Sequence, residues 1–147
     1  MNEPRILVAD DDTDTVDSLT VLLRNEGYEV RGVHRGGEVL QAIFQFAPDV
    51  VLLDISMPQM SGYEVARALR ERYGSARPAL IAVTGLTDSS HRRQAIAAGF
   101  EHHVGKPYEP RALLRLIGEL AAASGRAPRL SAVNPAQARA GRLPDAK

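Results

Sequence analysis

Short apolar runs alternate with segments of helical periodicity along most of this chain, and this alternation constrains the fold more than any other feature. The runs over residues 6–9 and 50–53 are apolar at every position, which is typical of parallel strands buried on both faces. Amphipathic segments that end at glycines lie between the runs, such as the segment closed by Gly27. Five strand–helix units between residues 5 and 123 predict an α/β fold: a doubly wound parallel sheet with helices on both faces.

The elements can be bounded from caps, glycines and prolines. The predicted strands cover residues 5–9, 28–33, 50–53, 79–83 and 102–105, and the predicted helices cover 13–26, 37–46, 61–73, 89–98 and 110–123. Ser61 followed by Glu64 fits a capping box at the start of the third helix. The second helix is expected to bury Val39, Leu40, Ile43 and Phe44 on one face.

Carboxylates follow two of the apolar runs. Asp10, Asp11 and Asp12 come after the first run, and Asp54 comes after the third predicted strand. Because the carboxyl ends of parallel strands meet at one edge of a sheet, these acids are expected to share a crevice. Unit charges about 4 Å apart repel by roughly 4 kcal/mol at an effective dielectric near 20. Such a cluster either binds a hard cation or holds protons at raised pKa values.

Composition excludes several classes of protein. Lysines and arginines balance aspartates and glutamates at 18 each, so a general basic surface for direct nucleic-acid binding is not indicated. The chain has no cysteine, which rules out disulfides and thiolate metal sites. Its first apolar run is too short for a signal peptide, and no stretch is long enough for a membrane span. We therefore expect a cytoplasmic protein.

Residues 124–147 differ in character from the rest. They contain three prolines, five basic residues and one acid, with little helical periodicity. We predict one domain over residues 1–123 and a disordered tail rich in Pro, Arg and Ala over residues 124–147. A docking segment for a partner or a membrane surface is the alternative for this tail.

The motifs at the predicted strand ends, taken together, are similar to the receiver domain of two-component response regulators. They are Asp10-Asp11-Asp12, Asp54 with Met57-Pro58 and Ser61-Gly62, Thr84-Gly85, and Lys106-Pro107, in that order. The resemblance covers roughly residues 4–123. It implies the flavodoxin-like strand order 2-1-3-4-5.

The resemblance also implies a role for each acid. Asp54 would accept the phosphoryl group. Asp10, Asp11, Asp54 and the main-chain carbonyl of Ser56 would hold Mg²⁺, a hard cation that prefers oxygen ligands. Asp12 is expected to cap the first helix instead, where a negative charge suits the helix dipole.

Thr84, Lys106 and His103 complete the implied site. The Thr84 hydroxyl and the Lys106 ammonium would bind the oxygens of the phosphoryl group. Thr84 would also couple phosphorylation to a loop movement, and the Lys106-Pro107 bond is cis in many receivers. His103 departs from the family, which commonly has Tyr or Phe at that position. It is either a switch residue that would add pH sensitivity or a surface strand residue.

The implied function is a phosphorylation-controlled switch, not an enzyme beyond slow self-dephosphorylation. A histidine kinase or phosphotransfer protein would supply the phosphoryl group. The face made by the fourth helix, fifth strand and fifth helix would bind a downstream protein. Met1 favours a stand-alone regulator, whereas the run from Gly99 to Pro107 resembles receivers of hybrid kinases.

Two rival functions stay open on the sequence. Asp12, Asp14 and Val16 match the Asp-x-Asp-x-Val nucleophile motif of Mg²⁺-dependent phosphohydrolases of the haloacid-dehalogenase type. Two extra acids before Asp12 and the absence of a role for Asp54 count against that function. The other rival is a degenerate receiver that acts only as a binding module.

Overall fold

Five parallel strands form one sheet in the order β2-β1-β3-β4-β5. The structure is a computed structural model and describes residues 3–57, 60–74 and 78–123. The strands are β1 (Arg5–Ala9), β2 (Glu29–Val33), β3 (Val50–Leu53), β4 (Ala79–Thr84) and β5 (His102–Gly105). The helices are α1 (Thr13–Asn25), α2 (Gly36–Phe46), α3 (Gly62–Tyr73), α4 (Ser89–Ala98) and α5 (Pro110–Ala123). The predicted doubly wound (βα)5 sheet is confirmed, and so is its flavodoxin-like order.

Alternate residues of the central strands contribute side chains to two separate hydrophobic cores. Leu7, Leu53 and Ala82 belong to the core that α2, α3 and α4 cover. Val8 and Leu52 point to the opposite face and belong to the core that α1 and α5 cover. Since side chains alternate along a strand, burial on both faces explains why these runs are continuously apolar.

The strand register brings the functional ends together. Ala9 pairs with Leu53, so the next residues on the two strands, Asp10 and Asp54, lie side by side. The Asp54 amide donates to the Ala9 carbonyl at 2.9 Å. At the same edge of the sheet, the Lys106 amide donates to the Thr84 carbonyl at 2.9 Å.

The start of α3 is fixed directly against the end of β3. The predicted capping box is present: Ser61 accepts from the Glu64 amide, and the Glu64 carboxylate accepts from the Ser61 amide. Gly62 lets the helix approach closely, because a Cβ at this position would lie 2.7 Å from the Ile55 Cα. The Gly62 amide also donates to the Ile55 carbonyl at 2.9 Å.

Some details differ from the sequence prediction. The second strand begins at Glu29, and the second helix begins at Gly36. Phe44 was expected in the core, but its side chain is 69% exposed and lies against the Arg72 guanidinium. Phe46 is buried instead, because the helix turns residues 39, 43 and 46 toward the sheet.

Two further sequence predictions concern the tail and membrane spans. The predicted tail, residues 124–147, lies outside the described residues. Within the described part of the chain, no helix combines the length and the apolar character needed to cross a membrane.

Candidate functional site

Three carboxylates meet where β1 and β3 end. Asp10 and Asp54 are 3% and 6% exposed, whereas Asp11 is exposed to solvent. One oxygen from each of the three carboxylates lies within 4.8 Å of the other two. The structure thus assembles the acids that the sequence predicted would share a crevice.

Main-chain amides hold one oxygen of each buried carboxylate. The Asp12 amide donates to Asp10 Oδ1 at 3.0 Å, and the Ser56 amide donates to Asp54 Oδ1 at 3.1 Å. These bonds fix the orientation of both side chains and direct the two Oδ2 atoms to Lys106. The Ser56 side chain itself is exposed.

Lys106 supplies the positive charge of the site, and it lies closer to Asp10 than to Asp54. Its Nζ is 2.7 Å from Asp10 Oδ2 and 3.5 Å from Asp54 Oδ2. Burial alone would lower the pKa of Lys106, but the hydrogen bond to Asp10 and the charges of both aspartates raise it overall. Lys106 is therefore a cation held between two carboxylates that are 96 and 52 residues away in the chain.

The surroundings of Asp54 disfavour its ionised form. Burial raises the pKa of Asp54, and the neighbouring charge of Asp10 raises it further. The hydrogen bond from the Ser56 amide and the charge of Lys106 oppose this shift without cancelling it. The charged form of Asp54 is thus destabilised by its surroundings, and added positive charge would relieve that cost.

Asp12 has a structural role, as the sequence predicted. It is the N-cap of α1, where Oδ1 accepts from the Asp14 amide at 3.1 Å. The Thr15 hydroxyl donates to Asp12 Oδ2 at 2.9 Å, and this bond lowers the pKa of Asp12. Because both oxygens are engaged at the helix start, nothing in this geometry favours Asp12 as a nucleophile.

Thr84 lies at the end of β4 and is fully buried. Its Oγ1 accepts from the Leu86 amide at 3.2 Å, and its carbonyl accepts from the Lys106 amide. The hydroxyl is thus tied to the loop that leads into α4. The Lys106-Pro107 bond is cis, as the resemblance predicted.

His103 lies on β5 opposite Ala82, on the side of the sheet that α4 covers. Both of its ring nitrogens are buried. Burial and the charge of Arg92 lower the pKa of His103, and a hydrogen bond with the Leu86 main chain opposes them. The residue as a whole is partly exposed, so its role as a switch residue stays a prediction.

Comparison with known proteins decides the family. The family model for the response regulator receiver domain matches residues 6–118. The chain belongs to the response regulator receiver domain family. The receiver fold accounts for the convergence of the carboxylates, Thr84 and Lys106 at one edge of the sheet.

Individual relatives agree with this assignment. The chain is 36% identical over 113 residues to the DNA-binding response regulator MtrA of Mycolicibacterium smegmatis, which covers 77% of this chain and 48% of that protein. This receiver therefore spans about half the length of that relative. It is also 36% identical over 113 residues to an uncharacterised 14.6 kDa protein of Leptolyngbya boryana, covering 76% of this chain and 86% of that protein.

Solved structures agree as well. A CheY-like response regulator receiver domain protein from Methanospirillum hungatei JF-1 superposes with a TM-score of 0.78 at 32% sequence identity. The match covers 85% of this chain and 98% of that chain.

The hydrogen bonds that hold α4 in this receiver were not predicted from the sequence. Arg70 donates from Nε and Nη2 to the Gly99 carbonyl at 3.1 and 2.8 Å, and from Nη1 to the Pro78 carbonyl at 3.1 Å. Tyr63 donates to the His91 carbonyl at 3.3 Å. Gly99 was recognisable as a helix stop, but no pattern in the sequence pairs it with an arginine 29 residues earlier.

Proposed function

We propose that this receiver accepts a phosphoryl group on Asp54 from a histidine kinase or a phosphotransfer protein. The observation that carries the proposal is the placement of a buried Asp54 beside Asp10 and Asp11, with Lys106 as the neighbouring cation. Such an arrangement is costly for folding alone, whereas it suits a nucleophile that needs positive charge at the moment of transfer.

The transfer would be a single displacement at phosphorus. An oxygen of Asp54 attacks the phosphorus of a phosphohistidine on the partner. An O–P bond forms while the N–P bond breaks, and the partner's imidazole leaves with the electron pair and takes up a proton. Lys106 Nζ, already 3.5 Å from Asp54 Oδ2, would neutralise a phosphoryl oxygen.

The residues present fit Mg²⁺. Asp10, Asp11 and Asp54 offer only carboxylate oxygens, which are the ligands of a hard cation, and the Ser56 carbonyl would complete the set. A bound divalent cation supplies charge neutralisation for the phosphoryl oxygens. The raised pKa of Asp54 supports this fit, because a cation would favour the ionised, nucleophilic form.

Phosphorylation would act as a switch through Thr84. Its hydroxyl accepts from the Leu86 amide, and its O–H would turn to donate to a phosphoryl oxygen. That change would pull on the loop leading into α4 and alter the surface made by α4, β5 and α5, where a downstream protein would bind. We propose no catalytic turnover beyond slow self-dephosphorylation. We propose that residues 1–123 form this cytoplasmic signalling unit.

Phosphorylation with a small-molecule donor tests the proposal. The full chain, incubated with acetyl phosphate and Mg²⁺, should gain one phosphoryl group by intact mass spectrometry and lose it on hydroxylamine treatment. Asp54→Asn should abolish the gain, whereas Asp17→Asn, at an exposed acid of α1, should leave it unchanged. Chelation of Mg²⁺ should prevent labelling.

Two results would contradict the proposal. One is a label that resists mild alkali and hydroxylamine, because both cleave an acyl phosphate. The other is labelling that persists in Asp54→Asn at the rate of the unaltered protein.

A further inference from the structure

A groove lies between β5, an edge strand of the sheet, and helix α5. Its volume is about 360 Å³, within the range of roughly 300–1,000 Å³ that is typical of binding pockets in proteins. Most of its lining is apolar, and Val104, Pro107, Tyr108, Ala112 and Leu116 contribute to it. The groove can therefore accept an apolar side chain.

Glu109 gives the groove a negative rim. Among the described lining residues, it is the one that is charged at neutral pH. Its Oε1 accepts from the Ala112 amide at 2.8 Å, which fixes the carboxylate at the start of α5, and Oε2 makes no hydrogen bond to the described residues. The two cations of α5, Arg111 and Arg115, do not line the groove. The rim therefore favours a ligand in which a cation adjoins an apolar side chain.

Residues 124–147, which follow α5 and lie outside the described residues, contain such a ligand. They include two leucines, Leu130 and Leu143, and each directly follows an arginine. This segment has five basic residues and one acid, which leaves 13 basic and 17 acidic residues for residues 1–123. The opposite net charges favour contact between the segment and the domain.

Leu130 can reach the groove from the end of α5. This helix ends at Ala123, and Ala112 and Leu116 lie about 11–17 Å back along its axis. Seven extended residues, 124–130, span up to about 23 Å. Gly125 offers a point of reversal, because glycine adopts backbone conformations that other residues avoid. Leu143 would need a much longer loop, and longer loops cost more closure entropy.

We propose that the chain docks onto itself: Leu130 occupies the groove between β5 and α5, and Arg129 pairs with Glu109. The docking concerns the unmodified protein and does not depend on phosphorylation. Its consequence rests on the proposed function, since a downstream protein that binds the face made by α4, β5 and α5 would compete with the docked segment.

Paramagnetic relaxation in the full chain tests the docking. Because the chain has no cysteine, an Ala132→Cys substitution provides a single site for a nitroxide spin label, two residues beyond Leu130. We expect the amides of Gly105, Ala112 and Leu116 to lose most of their signal intensity. Amides of α2, which covers the opposite face of the sheet, should keep theirs. Chemical reduction of the nitroxide provides the reference intensities.

Matched variants of the spin-labelled chain separate this docking from other contacts. Leu130→Ser should restore the lost intensities, whereas Leu143→Ser should not. Ala112→Leu adds bulk to the groove from an exposed position and should restore them as well. Glu109→Gln keeps an acceptor for the Ala112 amide and removes the charge, so it should lower the docked population by at most about fivefold.

Three results would overturn the proposal. The first is an intensity loss in the groove that persists in Leu130→Ser, and the second is a loss that is absent or equal over α2 and α5. The third is an equal loss when spin-labelled chains are mixed with isotope-labelled chains that carry no spin label, because the contact would then join two copies. None of these results bears on Asp54, whose phosphorylation is measured separately by mass.

Discussion

Helices α3 and α4 lie side by side on the same face of the sheet, yet they are held in very different ways. Helix α3 begins with a complete capping box and buries Val65, Ala66 and Leu69. Helix α4 lacks a side-chain cap at its start and buries two alanines. Burying a Leu or Val side chain contributes roughly 1.5–3 kcal/mol, and an alanine contributes much less. Helix α3 is therefore held more firmly at its start than helix α4.

Because of this difference, the helix beside the mutually repelling carboxylates is the firmly held one, and the loosely packed helix follows Thr84. The carboxylates repel one another, and the elements that carry them must stay together despite that repulsion. The fixed start of α3, only eight residues beyond Asp54, meets this need because its caps and glycine hold it against β3. Helix α4, which follows Thr84, has little packing to lose when the loop before it moves.

The largest expected contrast comes from shortening one apolar side chain in each helix. Leu69→Ala should lower the free energy of unfolding by about 2–5 kcal/mol, because Leu69 is fully buried and its loss leaves a cavity. Ile96→Ala should change it by less than about 0.5 kcal/mol, since this side chain is 69% exposed. Urea unfolding of the two variants measures the contrast, and equal losses would refute it.

A smaller loss is expected from removing the hydrogen bonds that Arg70 of α3 donates to the end of α4. Arg70→Met leaves the Gly99 carbonyl without its donors and should cost about 2 kcal/mol. Hydrogen exchange should become faster in α4 than in α3. Arg72→Met is the matched control, because Arg72 is exposed and its described contact is with the Phe44 ring. A global loss spread evenly over both helices would argue that Arg70 does not hold α4 in particular.

Removing the charge of Asp54 should have an effect of opposite sign. Since burial raises the pKa of Asp54, the folded protein binds more protons than the unfolded chain just above pH 4, and stability falls as the pH rises through that interval. Asp54→Asn should therefore stabilise the protein at pH 7, by an amount on the order of 1 kcal/mol. Lys106 keeps its closer partner, Asp10, in this variant.

The measurements at different pH must separate the contribution of Asp54 to stability from that of His103. The lowered pKa of His103 makes stability fall as the pH drops below about 6.5, which opposes the effect of Asp54. The difference in urea midpoint between the unaltered protein and Asp54→Asn cancels the histidine contribution. That difference should shrink from pH 7 toward pH 4, and a difference that is constant with pH would contradict the raised pKa.

The sequence predicted the helices and strands well because each signal that marks them acts over only a few residues. The Ser61 cap, the Gly27 and Gly99 stops and the apolar runs each act within a few residues. Phe44 was misplaced because helical periodicity leaves two adjacent stripes that both contain apolar residues, and contact with the sheet selects between them.

Contacts between residues that are far apart in the chain could not be predicted from the sequence. The acid cluster was predictable because strand ends share an edge, but the preference of Lys106 for Asp10 over Asp54 depends on side-chain distances. The burial of the His103 ring nitrogens depends on how α4 packs against β5, which no local pattern records.

The smallest expected effect tests whether Tyr63 holds the start of α4. Its hydroxyl donates to the His91 carbonyl at 3.3 Å, a long bond, so Tyr63→Phe should cost only about 0.5 kcal/mol. The effect should be local: hydrogen exchange should accelerate in residues 89–95 while α3 and the urea midpoint hardly change. Tyr73→Phe, at the exposed end of α3, is the control and should leave exchange in α4 unaltered. If the two variants exchange alike, the start of α4 is held by its own turns and by the Asp88–His91 pair, and the contrast with α3 is smaller than the contacts imply.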